Sequence, residues 1–121
     1  MTDSKNLGIL GEELAAHYLR SLGYKILLKN YVCPLGEIDL VARDGKGLVF
    51  IEVKTRRPSA SVSGPEALTH HKRQQICKAA QYYLNRYGIS DIPCRLDVLS
   101  IVLEEGTEPS FELIKDAFGR T

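Results

Sequence analysis

Five ionisable side chains occupy positions where the local sequence predicts an inward orientation. Glu52 and Lys54 lie in the run LVFIEVKTR, which otherwise reads as a buried strand because Val, Ile and Phe favour strands. Helical periodicity places Glu12 and Lys72 within the apolar arcs of two helices. Removing one charge from water is costly unless it is paired, so a single such residue indicates a structural ion. Five converging residues, Glu12, Asp39, Glu52, Lys54 and Lys72, indicate a site.

The chemistry follows from the two strands that precede and follow the Asp44–Gly47 turn. Antiparallel pairing around this turn brings Asp39 close to Glu52, and strict alternation puts Ile38, Leu40 and Ala42 on the opposite face. Carboxylate oxygens on adjacent strands suit Mg²⁺ or Mn²⁺. Lys54 lies on the same face as Glu52, about 7 Å along the strand. There it could orient or deprotonate a water, or stabilise pentacoordinate charge, which predicts metal-assisted phosphodiester hydrolysis.

The elements that must position these residues alternate in type along the chain. Helical spacing of leucines predicts a first helix over residues 5–22, and a capping box at Ser63–Glu66 begins a second helix that ends near Tyr87. Strands are predicted at 24–32, 35–43, 48–56, 94–103 and 110–115, the last at an edge of the sheet. The fold class is therefore α/β, in the order α-β-β-β-α-β-β, with a mixed central sheet and helices on both faces.

Composition sets the limits on function. With 121 residues, 44% of them hydrophobic, the chain is expected to form a single domain over residues 1–121. Its net charge of +1 is uninformative, but Lys54–Arg86 contains seven lysines and arginines and one acid, Glu66. This basic segment suits a polyanion, with phosphate contacts from Arg56, Arg57, Lys72 and Arg73. A solvated charged face is the alternative reading of the same count.

The cellular setting is read from what the sequence lacks. Cys33, Cys77 and Cys94 have no C-x-x-C spacing, which disfavours a zinc site or a disulfide framework, and all three are expected to be small core residues. The N-terminus has no signal-peptide pattern, and no apolar run approaches the length of a membrane span. A cytoplasmic protein without membrane association is expected.

The ordered motifs resemble a known family over nearly the whole chain. GEELAAHYLRSLGY, GEIDLVARDG, FIEVKTR, KRQQICKAAQYYL and RLDVLSI look like the YraN family of small bacterial proteins. Asp39 and the Glu52-Val53-Lys54 triplet resemble the motif of the PD-(D/E)XK nuclease superfamily, which includes Holliday junction resolvases and has a restriction-endonuclease-like fold. The chain departs from that motif at Ile38, where the superfamily signature has proline.

The resemblance implies a role for each residue of the cluster. Asp39 and Glu52 are expected to bind the metal, Lys54 to be catalytic, and Glu12 to be the acid that the first helix contributes. Lys72 or Gln75 would be the basic or amide side chain near the site. The implied activity is a divalent-metal-dependent endonuclease that hydrolyses DNA phosphodiester bonds, with branched or junction DNA as candidate substrates and DNA favoured over RNA. A homodimer is expected only by analogy with the resolvases.

Other readings of the same residues stay open. The alternative function is a catalytically inactive nucleic-acid-binding or adaptor module on the same fold, and a third is a protein-interaction domain that uses the Ser/Pro-rich segment at 57–65. Glu12 could pair with Lys54 or Lys72 without a catalytic role. Arg95 and Asp97 share a strand face and are expected to form a fold-stabilising pair.

Overall fold

The computed structural model describes residues 4–58 and 70–117, which form two helices and five strands. Their bounds are α1 Ser4–Ser21, β1 Lys25–Cys33, β2 Gly36–Asp44, β3 Gly47–Arg56, α2 His70–Arg86, β4 Cys94–Val102 and β5 Ser110–Ile114. The predicted order α-β-β-β-α-β-β is confirmed, and the strand ends agree to within a residue. The predicted capping box at Ser63–Glu66 and most of the Ser/Pro-rich segment lie outside the described residues.

The strands form one sheet in the order β1-β2-β3-β4-β5. The first three strands are a meander of antiparallel neighbours, β3 and β4 run parallel, and β5 returns antiparallel to β4. The sheet is therefore mixed, as predicted. Because the chain must cross from the end of β3 back to the start of β4, the segment that contains α2 lies across one face of the sheet.

Helix α1 packs closely against one face of the sheet. Ala15 and Leu19 of α1 are fully buried against Leu40, Ile51 and other residues of β2–β4. A Cβ atom built on Gly11 would overlap the Oγ1 atom of Thr55 and lie 3.0 Å from its Cβ. Only glycine therefore permits this approach, which places the adjacent Glu12 beside the sheet.

Helix α2 covers the opposite face, where Tyr83 packs edge-to-face on Phe50 with ring centroids 5.6 Å apart. Between the two helices, residues 48–52 of β3 are all buried. The prediction of a third strand covered on both sides is thus confirmed for this half of β3. Among the described residues, no helix combines the length and apolar character needed to cross a membrane.

The alternation of side chains breaks in the middle of the β1–β2 hairpin. Ile38 and Val41, three residues apart, both pack in the cluster beneath α2, whereas strict alternation would separate them. The expectation that Ile38 shares a face with Leu40 is therefore wrong. Across the hairpin, Asn30 adopts a left-handed conformation (φ 55°) in the register position opposite Asp39, so both strands depart from regular geometry at the same place. The irregularity places Asp39 at the point where the regular pleat is interrupted.

A partly buried ionic network ties Arg95 of β4 to Asp44 of β2 and to Tyr24, which precedes β1. Arg95 Nε donates to both carboxylate oxygens of Asp97, at 3.1 and 3.0 Å, and its Nη2 donates to Asp44 Oδ2 at 3.0 Å and to the Tyr24 hydroxyl. Asp97 is fully buried and also accepts the Asp116 N–H at 2.9 Å. The predicted Arg95–Asp97 pair is confirmed. In contrast, Cys94 is exposed, so the expectation that it is a core residue is wrong, because it begins β4 outside the covered part of the sheet.

Candidate active site

Asp39 lies where the β2 and β3 backbones stop pairing. The β2–β3 register extends from the Asp44–Gly47 turn to Leu40 and Ile51. Beyond that pair, the backbone N–H of Val53 donates to Asp39 Oδ2 at 2.8 Å. A side-chain carboxylate therefore takes the place of a strand carbonyl. This bond fixes the Asp39 carboxylate within the opening between the two strands.

The carboxyl group of Glu52 lies beside that of Asp39, within hydrogen-bonding reach. Burial, followed by the negative charge of Glu52, raises the pKa of Asp39 to about 7 from its ordinary value of 3.8, and the Val53 N–H and Lys72 only partly offset these effects. Glu52 itself is 5% exposed. The structure thus brings the two predicted ligands together, in a pair that gains stability from binding a proton or a cation.

Two lysines from different elements converge on Glu52. Lys54 Nζ lies 3.4 Å from Glu52 Oε2, and Lys72 Nζ of α2 lies 3.9 Å from the same oxygen. Both lysine side chains are about one-third exposed, at 30% and 34%, so their ammonium groups border solvent while Glu52 does not. The inward orientation predicted for Lys72 is confirmed, and Lys54 lies on the same strand face as Glu52 as the spacing predicts.

Glu12 reaches the same region from the α1 face but has a different partner from the two that the sequence suggested. Its Oε1 accepts a hydrogen bond of 2.7 Å from Asn30 Nδ2. Burial raises the pKa of Glu12, Asn30 opposes this effect, and the charges of Asp39 and Glu37 raise the pKa further. The described contacts therefore put Glu12 near the acids, with Asn30 as its partner in place of Lys54 or Lys72, the pairing that the sequence left open as an alternative.

Asn30 is the site residue that the sequence reasoning missed. Its residue type could have indicated an irregular strand, because asparagine is depleted from strand interiors and tolerates a left-handed backbone conformation. An asparagine within KILLKNYVC thus indicates an interruption of regular strand geometry. Asn30 faces Asp39 across the hairpin, and its amide donates to Glu12.

A cleft of about 370 Å³ opens beside Lys72, between the β1–β2 connection and the start of α2. Lys72 and Gln75 line one side, and Val32, Leu35 and Glu37 line the other. Gly36 at the tip has φ 154°, and a Cβ on it would lie 3.1 Å from the Gln75 carbonyl oxygen. Gln75 therefore lies near the site, as predicted.

A comparison with known protein families identifies the family of this chain. Residues 11–101 match the model of the family described as "Uncharacterised protein family UPF0102". The chain belongs to the UPF0102 family. This is the YraN family that the sequence motifs resembled. The matched range includes every acid and lysine of the cluster.

Relatives in distant bacteria have the same family name and nearly the same length. A UPF0102 protein of Geobacter sulfurreducens is 47% identical over 115 residues, which cover 95% of this chain and 90% of the relative. UPF0102 proteins of Dehalococcoides mccartyi and Clostridium kluyveri are 42% and 40% identical, over 95% of this chain and 94% and 95% of theirs. None of these names states an activity, so the function must be argued from the site.

The basic residues that the sequence suggested as phosphate contacts in this UPF0102 chain differ in their exposure and in their distance from the carboxylates. Arg56 and Arg57 are half-buried at the end of β3, and Lys72 is at the carboxylates. Arg73 is exposed and points away from the Lys72 side of α2. His70 and His71 are exposed as well. The structure thus brings Lys72 into the cluster and leaves Arg73 at the surface.

The donor set in the UPF0102 site fits a hard divalent cation. The two adjacent carboxylates of Asp39 and Glu52 are oxygen ligands of the kind that Mg²⁺ and Mn²⁺ prefer. Burial and the neighbouring charge of Glu52 raise the pKa of Asp39 despite the nearby Lys72, so a cation bound between the two carboxylates would favour their charged forms. Within residues 4–58 and 70–117, no group of three or more His, Cys, Asp or Glu side chains has metal-binding geometry. Two protein ligands with water and phosphate oxygens are a normal complement for Mg²⁺.

Proposed function

We propose that this UPF0102 chain is a divalent-metal-dependent nuclease that hydrolyses DNA phosphodiester bonds. The observation that supports this most directly is the adjacent Asp39 and Glu52 carboxylates, with the Lys54 ammonium 3.4 Å from Glu52. A structural ion pair needs one acid and one base. Here two acids lie together, and burial followed by the charge of Glu52 raises the pKa of Asp39 to about 7, a perturbation of the kind that is common at functional sites.

The protein groups have separable roles in the proposed reaction. Asp39 and Glu52 would hold Mg²⁺ or Mn²⁺, which supplies Lewis-acid polarisation of the phosphate and a more acidic bound water. Lys54 would orient the attacking water or stabilise the negative charge on the oxygens of the pentacoordinate phosphorus. The Val53 N–H fixes the Asp39 carboxylate, and Asn30 fixes Glu12. These two hydrogen bonds would preorganise Asp39 and Glu12. Glu12 would add a negative charge to the site from the α1 side.

DNA would approach along the open side of the cluster. Arg56 is the last residue of the strand that contains Glu52 and Lys54, Arg57 follows it, and Lys72 borders the Glu52 carboxylate. Phosphate contacts from these three residues would align the backbone with the carboxylates. Arg73 and Gln75 would contribute at the margin. Branched or junction DNA is a candidate substrate by analogy with the resolvases, as is a homodimer.

Incubation of the purified protein with duplex, single-stranded and junction DNA in the presence of Mn²⁺ tests the proposal. Cleavage is expected for the wild type and is expected to disappear in Asp39→Asn, which keeps the shape of the side chain and its bond to Val53. Cleavage that persists in this variant would come from a contaminating enzyme. No cleavage of any substrate with Mn²⁺ or Mg²⁺ would contradict the proposal.

One observation favours a second function, a catalytically inactive nucleic-acid-binding module. Glu52 already has two ammonium groups within 4 Å, which is how a structural charge network is satisfied. This function predicts DNA binding that weakens with salt, is unchanged by Glu52→Gln, and is never followed by cleavage. Calorimetric titration of Mn²⁺ separates the two functions, because only the nuclease requires a metal at Asp39.

A further inference from the structure

A stripe of basic and aromatic side chains follows α2 away from the candidate active site. Gln75, Lys78, Tyr82 and Arg86 recur every three or four residues, so they lie along one side of the helix. Gln75 lines the cleft beside the β1–β2 connection. Tyr82 and Arg86 lie close enough to Tyr31 of β1 to act electrostatically on its hydroxyl group. The stripe therefore borders the edge strand β1.

Aromatic rings continue from the cleft to the far end of the helix. Tyr31, next to Val32 of the cleft, meets Tyr83 edge-to-face with centroids 5.2 Å apart. The centroids of the Tyr83 and Tyr87 rings are 4.7 Å apart, and the Arg86 guanidinium lies 5.9 Å from the Tyr87 ring centroid. Tyr87 is 55% exposed, whereas Tyr83 is buried. Tyr87 therefore packs against a buried ring and exposes the rest of its own ring to solvent.

The apolar side chains at the cleft end are also exposed. Val32 is 70% exposed and Leu35 is 47% exposed, beside Lys72, which lies 3.9 Å from Glu52. From Lys72 to Arg86 the helix rises about 21 Å at 1.5 Å per residue. The surface along α2 and β1 thus extends from the cleft at the candidate active site to the exposed ring of Tyr87.

We propose that this α2–β1 surface binds an unpaired nucleic-acid strand that continues from the candidate active site to Tyr87. The proposal rests on the proposed function, because it identifies the substrate as DNA with a single-stranded segment next to the cleaved phosphate. It makes Lys78 and Arg86 phosphate contacts and Tyr87 a stacking residue.

The positive charge of α2 favours a nucleic acid over a peptide as the ligand of this surface. The described helix has the sequence HHKRQQICKAAQYYLNR, with four lysines and arginines and no acidic residue, and Glu37 is the acid on the facing wall of the cleft. The exposed ring selects an unpaired strand over a duplex, because bases in a duplex already stack on each other and offer only their edges and phosphates. Stacking on aromatic rings along a basic groove is the usual mode of single-strand binding.

The test is a fluorescence anisotropy titration of a labelled twelve-nucleotide poly-dT strand and a blunt duplex of about equal length, at low salt with EDTA, so that no cleavage interferes. The wild type is expected to bind the single strand more tightly than the duplex. Tyr87→Ala is expected to weaken single-strand binding about five- to tenfold, and Arg86→Ala severalfold, whereas Tyr87→Phe retains wild-type binding. Leu22→Ala, an exposed apolar residue after α1, is the matched control and should bind as the wild type does.

Failure of this inference can be distinguished from failure of the proposed nuclease. If Mn²⁺-dependent cleavage is seen but Tyr87→Ala leaves single-strand binding unchanged, the nuclease stands and the proposed role of the α2–β1 surface is overturned. If Tyr87-dependent binding is seen without cleavage by any metal, the role of this surface stands and the nuclease is overturned. Absence of binding to any nucleic acid at low salt overturns the role of the surface in strand binding and leaves a protein partner for it. Thermal melting of each variant shows whether it is folded.

Discussion

The Val53 backbone N–H donates to Asp39 Oδ2 at 2.8 Å, at the point where the β2 and β3 backbones cease to pair. This one hydrogen bond connects the fold to the candidate active site. It satisfies a backbone donor that the separating strands would otherwise leave without an acceptor, and it holds a carboxylate against Glu52. A simple ladder between β2 and β3 would satisfy the same donor without bringing two acids together.

The Asp39–Glu52 pair predicts a pH-dependent gain in stability for Asp39→Asn in the absence of divalent cations. An acid whose pKa is raised on folding stabilises the fold fully below its ordinary value of 3.8, and this contribution is lost as the pH rises through about 7. At pH 8 the amide removes the repulsion and still accepts the Val53 N–H. The free energy of unfolding is expected to rise by roughly 1–3 kcal/mol at pH 8 and to change little at pH 4, as measured by urea denaturation.

The control for that measurement is Asp91→Asn, an exposed aspartate in a left-handed conformation that asparagine also tolerates. It should show no gain that depends on pH. A gain of equal size at pH 4 and pH 8 for Asp39→Asn would mean that charge repulsion with Glu52 is not the cause.

Divalent metal binding is expected to require both acids of the pair. Calorimetric titration of Mn²⁺ should give a saturable signal for the wild type and none for Glu52→Gln or Asp39→Asn, because each substitution removes a charged oxygen ligand. Glu13→Gln, at an exposed α1 position whose partner is Lys29 at 3.2 Å, is the matched control and should bind as the wild type does. Undiminished binding in both site variants would place the metal elsewhere.

Removal of Lys54 should separate catalysis from metal binding. Lys54→Ala keeps both carboxylates, so Mn²⁺ binding measured by calorimetry is expected to persist. Loss of a group that orients water or stabilises charge should lower the cleavage rate about a hundredfold or more. Lys46→Ala, at an exposed position in the β2–β3 turn, is expected to cleave at the wild-type rate. Equal rates for the two variants would exclude a catalytic role for Lys54.

The contact between α1 and β3 predicts that Gly11→Ala is destabilising despite the high helix propensity of alanine. The new Cβ would overlap Thr55 Oγ1, so the helix must shift, at a cost of about 1–3 kcal/mol in the free energy of unfolding. Adding Thr55→Ala removes the overlapping oxygen and should recover part of the loss, which a double-mutant cycle measures. If the two effects are simply additive, the close approach is not the reason for glycine at this position.

The Arg95–Asp97 network predicts a stability effect that is independent of the candidate active site. Asp97→Ala removes the acceptor of Arg95 Nε and of the Asp116 N–H, and leaves a polar cavity in a fully buried position. The free energy of unfolding is expected to fall by about 3–5 kcal/mol, with Mn²⁺ affinity unchanged wherever the variant remains folded. Glu104→Ala, an exposed acid after β4, is the matched control for urea denaturation. A loss of less than about 1 kcal/mol would show that the network is not a structural one.

The order of elements could be read from the sequence because each signal is local. A strand's period of two residues puts Glu52 and Lys54 on one face, and a helix's period of 3.6 residues puts Lys72 inward, whatever the rest of the chain does. The same periods led to the wrong face for Ile38, since a pattern rule has no means of detecting an interruption of the pleat.

Pairing partners could not be read in this way. The partner of Glu12 is Asn30, eighteen residues along the chain and on another element, where two lysines had been the candidates. Which polar groups meet depends on the separation of α1 from the sheet, which the Gly11–Thr55 contact sets. Likewise, cysteine is a residue type that is common in protein cores, but Cys94 is the first residue of β4 and is exposed.

The sequence by itself determined the inventory of the candidate active site: two acids, a lysine two residues after the second, and strands that bury them. These are properties of residue type and of backbone period, which neighbouring residues establish. Only the tertiary structure decided that Asp39 takes the place of a strand carbonyl, that Lys72 joins Lys54 at Glu52, and that Glu12 is held by Asn30. Those relationships depend on where two strands separate and how closely helices approach them, which is a balance of packing over the whole fold.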